Sequence, residues 1–245
     1  MVSALSFAAT VGANAAIPVL VYHRFDADKP AAMSVRTSTF RAQLDWLKQH
    51  GYRIVALKQA LSDLTKPDGG DKEAVITVDD GNRSVYTLLY PLIRAEHLPV
   101  TLFIYPSAIS NASYALTWDQ LREMQASGLV AIQSHTYWHP NFKVERRKRA
   151  DADYKTFVDE QLLKSRNVIE AKLGGKVDMI AWPYGIVDGD LEAAAAKAGY
   201  RFAFAYSGGS MRPGQDPLVL PRIPVPDVVA GFAAQIEAIG GKPGQ

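Results

Sequence analysis

The chain contains no cysteine. Disulfides, thiolate zinc sites and cysteine nucleophiles are therefore excluded together, and the protein is compatible with the cytoplasm, the periplasm or the exterior. It also lacks any apolar run long enough to span a bilayer. A charge of one sign is lacking too: 27 Lys and Arg face 25 Asp and Glu, a net charge of +2. The one dense basic run, Glu145 to Arg149, reads as a solvated loop or helix start, so no nucleic-acid partner is expected. Histidine is scarce, so any imidazole chemistry must be drawn from five residues.

What is present is a core. At 48% hydrophobic residues, the 245-residue chain can bury one large α/β domain. The first sixteen residues, MVSALSFAATVGANAA, are small and apolar, and Ala13-Asn14-Ala15 has the form of a cleavage signal. No Lys or Arg precedes the apolar part. Residues 1–16 read as a signal peptide with a truncated start or as a flexible extension, and 17–245 as one folded domain.

Strand-like runs recur at 17–22, 52–56, 74–79, 99–105, 129–134, 178–183, 201–205 and 218–223. Helix-period stretches lie between most of them: Phe40, Leu44 and Leu47; Val85 to Ile93; Phe157 to Leu173; Leu191 to Ala198. This β-α alternation, with strands apolar on both faces, predicts a parallel sheet covered by helices, open or closed into a barrel. The least structured stretches are 26–36, 66–72, 106–116, 136–150 and 207–217.

Active sites of such folds gather at the C-terminal ends of strands. The first strand ends on His23, the third on Asp79-Asp80-Gly81, the fifth on His135 with His139 four residues on, the sixth on Trp182-Pro183-Tyr184-Gly185, and the last carries Arg222. His50 and His97 sit at helix ends and read as capping residues. Two adjacent acids at the mouth of a core strand repel each other unless a positive centre is near. One carboxylate and two imidazoles, with positions left for water, form the ligand set of a catalytic zinc or similar divalent ion. One acid binds it and the other is free to take a proton.

Together these segments resemble a known family. TVDDG (residues 77–81), HTYWHP (135–140) and WPYG (182–185) are similar to the T-F-D-D-G, H-[ST]-x-x-H-P and R-x-P-Y-G motifs of the polysaccharide deacetylases of carbohydrate esterase family four. The resemblance implies an α/β fold: a distorted (β/α) barrel of about seven strands in a single domain. It implies Asp79 as catalytic base, Asp80, His135 and His139 as metal ligands, and the Tyr184 backbone N–H as a donor to the oxyanion. Two departures stand out. Ala181 occupies the place of the third motif's arginine, and no histidine follows His139 to serve as general acid. In a branch resembling the poly-β-1,6-N-acetylglucosamine deacetylases, the motifs are circularly shifted and that histidine lies on the first strand. VLVYHRF matches this pattern and gives the role to His23. Arg222, by its strand-end placement, either replaces the missing arginine or is a surface or loop-pairing residue. Tyr137, Trp138 and Trp182 are candidates for a sugar platform.

The resemblance implies a metal-dependent N-deacetylase of an N-acetylhexosamine polysaccharide. Zinc is the foremost cofactor, with cobalt, nickel or iron as alternatives. The expected protein is a periplasmic or secreted monomer whose partner is the acetylated polysaccharide. The rivals are an O-acetyl esterase acting on xylan or another acetylated glycan, and a carbohydrate-binding pseudoenzyme.

Overall fold

Glu73–Asp80 is the longest strand, and every residue in it is buried except Asp80, which is half-buried. A strand covered on both faces belongs in the middle of a helix-wrapped parallel sheet, and the computed structural model places it there. The structure describes residues 16–29, 31–65 and 72–240. The signal-peptide reading therefore lies, but for residue 16, outside the described residues, as does most of the 66–72 stretch.

In chain order the strands are β1 (Val19–Tyr22), β2 (Arg24–Asp26), β3 (Ser34–Arg36), β4 (Arg53–Ile54), β5 (Glu73–Asp80), β6 (Val100–Ile104), β7 (Val130–Ser134), β8 (Met179–Ala181), β9 (Phe202–Phe204) and β10 (Ile223–Pro224). Seven of them run parallel in the order β10-β1-β5-β6-β7-β8-β9. The segment leading into β10 closes the curl. Leu220 bridges Phe204 of β9, while Ile223 and Pro224 pair with Leu20 and Val21 of β1. The result is the expected distorted (β/α) barrel.

Alternation along the strands separates two cores. Val19, Val75, Phe103, Ala181 and Phe204 meet inside the barrel, with Leu57 and Leu61 in the same cluster. Leu20, Ile76, Val78, Leu102 and Ile132 face outward, under the helices Thr37–Gln49, Trp118–Ala126 and Asp151–Leu173. The expected helical stripes lie on such helices, and His50 and His97 cap two of them.

Three expectations are corrected. The 52–56 run contributes only Arg53 and Ile54, paired to the start of β5 and outside the barrel's ring. Residues 26–36, expected as loop, hold part of the small parallel pair β2–β3. Residues 136–150 include a short helix, Phe142–Arg147, started by the Asn141 side chain accepting from the Val144 N–H. Among the described residues no helix is long and apolar enough to cross a membrane.

Register fixes what reaches the barrel's C-terminal rim. Tyr22 pairs with Val78, Asp80 with Ile104, Ile104 with Ser134, and Ser134 with Ile180. His23, the Asp79-Asp80 pair, Tyr105 and His135 therefore all leave the sheet at the same rim.

Candidate active site

Asp79 is the last interior-facing residue of β5 and is 1% exposed. Both of its oxygens accept hydrogen bonds from the Arg222 guanidinium, each at 2.7 Å. Arg222 is itself fully buried; it also donates to the Thr77 hydroxyl and to the Ala205 carbonyl, and it lies over the Phe103 ring. Burial alone would raise the Asp79 carboxyl. The charge and hydrogen bonds of Arg222, with smaller help from His135 and His23, outweigh it and hold the group at about 2.

Asp80 follows in the left-handed region, at φ 73°, and Gly81 does the same. A Cβ on Gly81 would stand 3.1 Å from both Ile104 and Ile109, so the tight turn after the acids favours glycine twice over. Burial and the neighbouring Asp79 charge raise the Asp80 carboxyl. Its Oδ1 lies 3.7 Å from His135 Nε2 and 3.7 Å from His139 Nε2. The two adjacent acids thus differ in environment: Asp79 is gripped by a guanidinium and has His135 Nε2 at 3.7 Å, whereas Asp80 meets the Nε2 atoms of both His135 and His139.

His135 sits one residue beyond β7 and is buried. Its Nδ1 lies 2.7 Å from the Ala181 carbonyl. A carbonyl can only accept, so Nδ1 carries the proton and Nε2 turns a lone pair toward Asp80. Burial lowers this imidazole to about 3 and lowers His139 as well, which favours the neutral, ligating form. His139 is placed by a tight turn rather than a helix. Ser134 Oγ accepts from the Thr136 N–H, Thr136 Oγ1 from the His139 N–H, and Gln161 from the Trp138 N–H. Thr136 and His139 both have φ near 65°.

One ligand atom from each of Asp80, His135 and His139 lies within 4.8 Å of the other two. Two ligands about 2.1 Å from a tetrahedral zinc stand about 3.4 Å apart, so the 3.7 Å spacings match a divalent ion's first shell. Zinc fits the donor chemistry of two neutral imidazoles and a carboxylate.

His23, half-buried at the end of β1, faces the same acids. Burial lowers its pKa, and the charges of Asp79 and Asp80 pull the other way. Its ring meets Tyr206, the second residue beyond β9, at 6.0 Å. Tyr184 lies in the turn Pro183–Gly185 at φ 57°, 62% exposed, with its ring 4.7 Å from that of His139. Non-glycine residues in this region are strained, and Asp80, Thr136, His139 and Tyr184 are four of the seven among the described residues.

The aromatic candidates fare differently. Trp182 is 1% exposed, donates to the Leu218 carbonyl and packs against Phe142. It is a core residue and offers no face to a sugar. Tyr137 and Trp138 turn toward the helix Asp151–Leu173, where Lys164 lies over the Tyr137 ring and Phe157 meets Trp138. Sequence reasoning missed Tyr206; its one signal was its position at the end of the FAFAY run.

Residues 66–203 match a family model described as polysaccharide deacetylase. The poly-β-1,6-N-acetyl-D-glucosamine N-deacetylase of Staphylococcus aureus strain MRSA252 is 25% identical over 198 residues, 79% of this chain and 68% of its own length. Among solved structures, IcaB from Ammonifex degensii is 25% identical with a TM-score of 0.77, over 90% of this chain and 97% of its own. Streptococcus pyogenes deacetylase PplD, solved in complex with acetate, shares the fold at a TM-score of 0.79 and 22% identity, over 91% of this chain and 99% of its own. Asp79, Asp80, His135, His139 and Tyr184 fall inside the matched region. His23 and Arg222 lie outside it, one just after β1 and the other just before β10, strands that the barrel sets side by side.

Proposed function

Because the chain belongs to the polysaccharide deacetylase family, we propose that it is a metal-dependent hydrolase removing N-acetyl groups from an N-acetylhexosamine polymer of the poly-N-acetylglucosamine kind, outside the cytoplasm. The observation that carries this reading is the division of labour between the adjacent acids, Asp79 held by Arg222 and Asp80 facing two imidazoles.

Amide hydrolysis needs an activated water, a place for charge on the acetyl oxygen, and a proton for the leaving amine. Asp80, His135 and His139 would hold a divalent ion, zinc foremost, which when bound acidifies a water to a pKa of about 7 and polarises a carbonyl. Asp79 takes the proton from the attacking water. The grip of Arg222 on both its oxygens fixes its orientation and keeps it ionised. The backbone N–H of Tyr184 donates to the acetyl oxygen as charge builds there; losing such a donor costs roughly 2.7–4 kcal/mol. His23 protonates the departing amine. Its burial makes the imidazolium a stronger acid, and the two carboxylates offset part of the cost of protonating it. Acetate and a free hexosamine are the products.

Two features favour an active N-deacetylase. Arg222 supplies a buried guanidinium to Asp79 in a chain that has Ala181 where the expected motif has arginine, which removes the argument for a pseudoenzyme. A histidine placed to protonate an amine is needed for an amide more than for an ester, and the S. aureus relative carries an N-deacetylase name.

The test is acetate release from β-1,6-linked N-acetylglucosamine oligomers and from acetylated xylan, each before and after chelation. Chelator-sensitive release from the oligomers is expected. Release from xylan alone would make the protein an O-acetyl esterase.

A further inference from the structure

The turn that carries His135 and His139 does not hold itself. Thr136 and His139 both sit in the left-handed region, at φ 65° and 63°. Non-glycine residues keep that conformation only where their surroundings impose it. His135 follows β7 directly, and the Ala181 carbonyl fixes its ring. His139 lies four residues farther on, so its place depends on what anchors the chain between them.

The helix Asp151–Leu173 supplies the anchors. Its buried residues include Tyr154, Phe157, Val158, Leu162 and Ile169, which pack as a core face should. Gln161 and Ser165 are buried as well, one helical turn apart. Burying a polar side chain costs free energy unless it is hydrogen-bonded, and both of these direct their bonds at the turn. Gln161 Oε1 accepts from the Trp138 N–H at 3.1 Å, immediately before His139. Ser165 Oγ lies 2.8 Å from Ser134 Oγ, which also accepts from the Thr136 N–H. The Tyr200 hydroxyl stands beside both serines and donates to the Leu162 carbonyl at 3.0 Å, so a third buried hydroxyl backs the pair. Ser134, Thr136 and Ser165 are all 0% exposed, and no water can replace these bonds. Between the two anchors, Lys164 Nζ lies 4.0 Å from the centre of the Tyr137 ring. The helix therefore grips the turn at residues 134, 137 and 138, on both sides of the left-handed Thr136.

We infer that Gln161 and Ser165 are positioning residues for the metal site. Through the Trp138 amide and the Ser134 hydroxyl they hold His139 where its Nε2 meets Asp80 Oδ1, 3.7 Å away, and so set the affinity of the site. Neither residue touches the ion or the reacting atoms. The inference rests on the metal-site reading and adds to it two side chains from a helix outside the motifs. Losing either anchor lets the turn relax from its strained conformation and carries His139 away from Asp80 and His135.

The experiment compares wild type with Gln161→Met, Gln161→Glu, Ser165→Ala and Ile169→Ala. Each protein is stripped by a chelator and titrated with zinc against a chromophoric competitor, at a temperature where circular dichroism shows it fully folded. Gln161→Met and Ser165→Ala should raise the zinc Kd about tenfold, the lower end of the usual effect of losing an outer hydrogen bond at a metal site. The visible absorption bands of their cobalt forms should also depart from those of wild type, because His139 is displaced. Gln161→Glu keeps an oxygen for the Trp138 N–H and should stay within about threefold of the wild-type Kd. Ile169 is buried on the same helix, one turn beyond Ser165, and makes none of these bonds. Ile169→Ala should lower the melting temperature and leave the zinc Kd and the cobalt bands unchanged. A wild-type Kd in both Gln161→Met and Ser165→Ala overturns the role, as does a Gln161→Glu no better than Gln161→Met, or an Ile169→Ala that weakens zinc as much as they do. Wild-type protein that binds no zinc overturns the metal-site reading itself, and this inference with it.

Discussion

Arg222 and Asp79, 143 residues apart in the chain, form a two-pronged ion pair with both bonds at 2.7 Å inside the barrel. Each partner is essentially inaccessible to water. Removing one charge from such a pair leaves the other buried and uncompensated, a loss of about 3–5 kcal/mol. Arg222→Met should therefore lower the denaturation midpoint sharply as well as activity. A double variant, Arg222→Met with Asp79→Leu, should recover much of the stability and none of the activity.

The same pair sets the acid response. Asp79 lies below its ordinary 3.8, at about 2, so the unfolded chain binds a proton there before the native protein does. Its contribution is complete above about pH 4 and is lost as pH falls through about 2, roughly 2 kcal/mol in all. In Arg222→Met burial acts without the guanidinium and raises the carboxyl. The sign of this group's contribution then reverses, so between pH 7 and pH 4 the variant should lose less stability than wild type, in which the buried neutral histidines set the fall. Urea unfolding at the two pH values measures this; a variant with the wild-type slope would mean that Arg222 does not control Asp79.

The two acids should separate cleanly on substitution. Asp79→Asn should still bind a divalent metal and lose roughly 10²–10⁴-fold in kcat, the usual range for a positioned base. Asp80→Asn, His135→Ala and His139→Ala should lose the metal. Atomic emission on dialysed protein reads the first property, and acetate release the second. Metal lost from Asp79→Asn and kept by Asp80→Asn would reverse the assignment.

His23→Ala should cut amide deacetylation by roughly 10²–10⁴-fold and hydrolysis of an activated aryl acetate far less, since an aryl oxide leaves without a proton. Metal content is measured alongside. Equal losses on the two substrates, with metal still bound, would take the acid role away from His23.

Trp182 and Trp138 make a contrasting pair. Trp182→Ala opens a hole in the core and strands the Leu218 carbonyl, a loss of roughly 3–5 kcal/mol. Trp138→Ala, 40% exposed, should change the melting temperature little. The reverse order would mean that Trp182 is not the core residue that its burial indicates.

The motifs could be read from sequence because each one interrupts an apolar strand where the barrel opens. Asp79 and Asp80 end a run that is otherwise buried throughout, and His135 ends VAIQS; no packing argument accounts for either. Pairing across the barrel was not legible. Ala181 announced a missing arginine, but that Arg222 reaches Asp79 depends on β10 lying beside β1 and β1 beside β5, which only the closed sheet supplies. Trp182 was misread because nearness to a motif stood in for direction. Ala181 faces the barrel's interior, and the next residue turns into the outer core. Tyr206 gave almost no signal, since its place depends on Gly185 having no side chain.

Arg222 stands on a sparsely paired seam of the barrel, as β7–β8 also is with its one residue pair. β10 is joined to β1 by two residue pairs, and the segment before it meets β9 at one bridge, whereas β5 pairs with β6 over five. Elements held by few bonds open first, well below the global unfolding free energy. Opening there separates the guanidinium from Asp79 while the helices and the other strands stay folded. On gentle warming, amide protons of this seam should exchange early and activity should fade before helical ellipticity does, so the enzyme's working temperature is set by a local fluctuation of a few residues rather than by the melting of the whole domain.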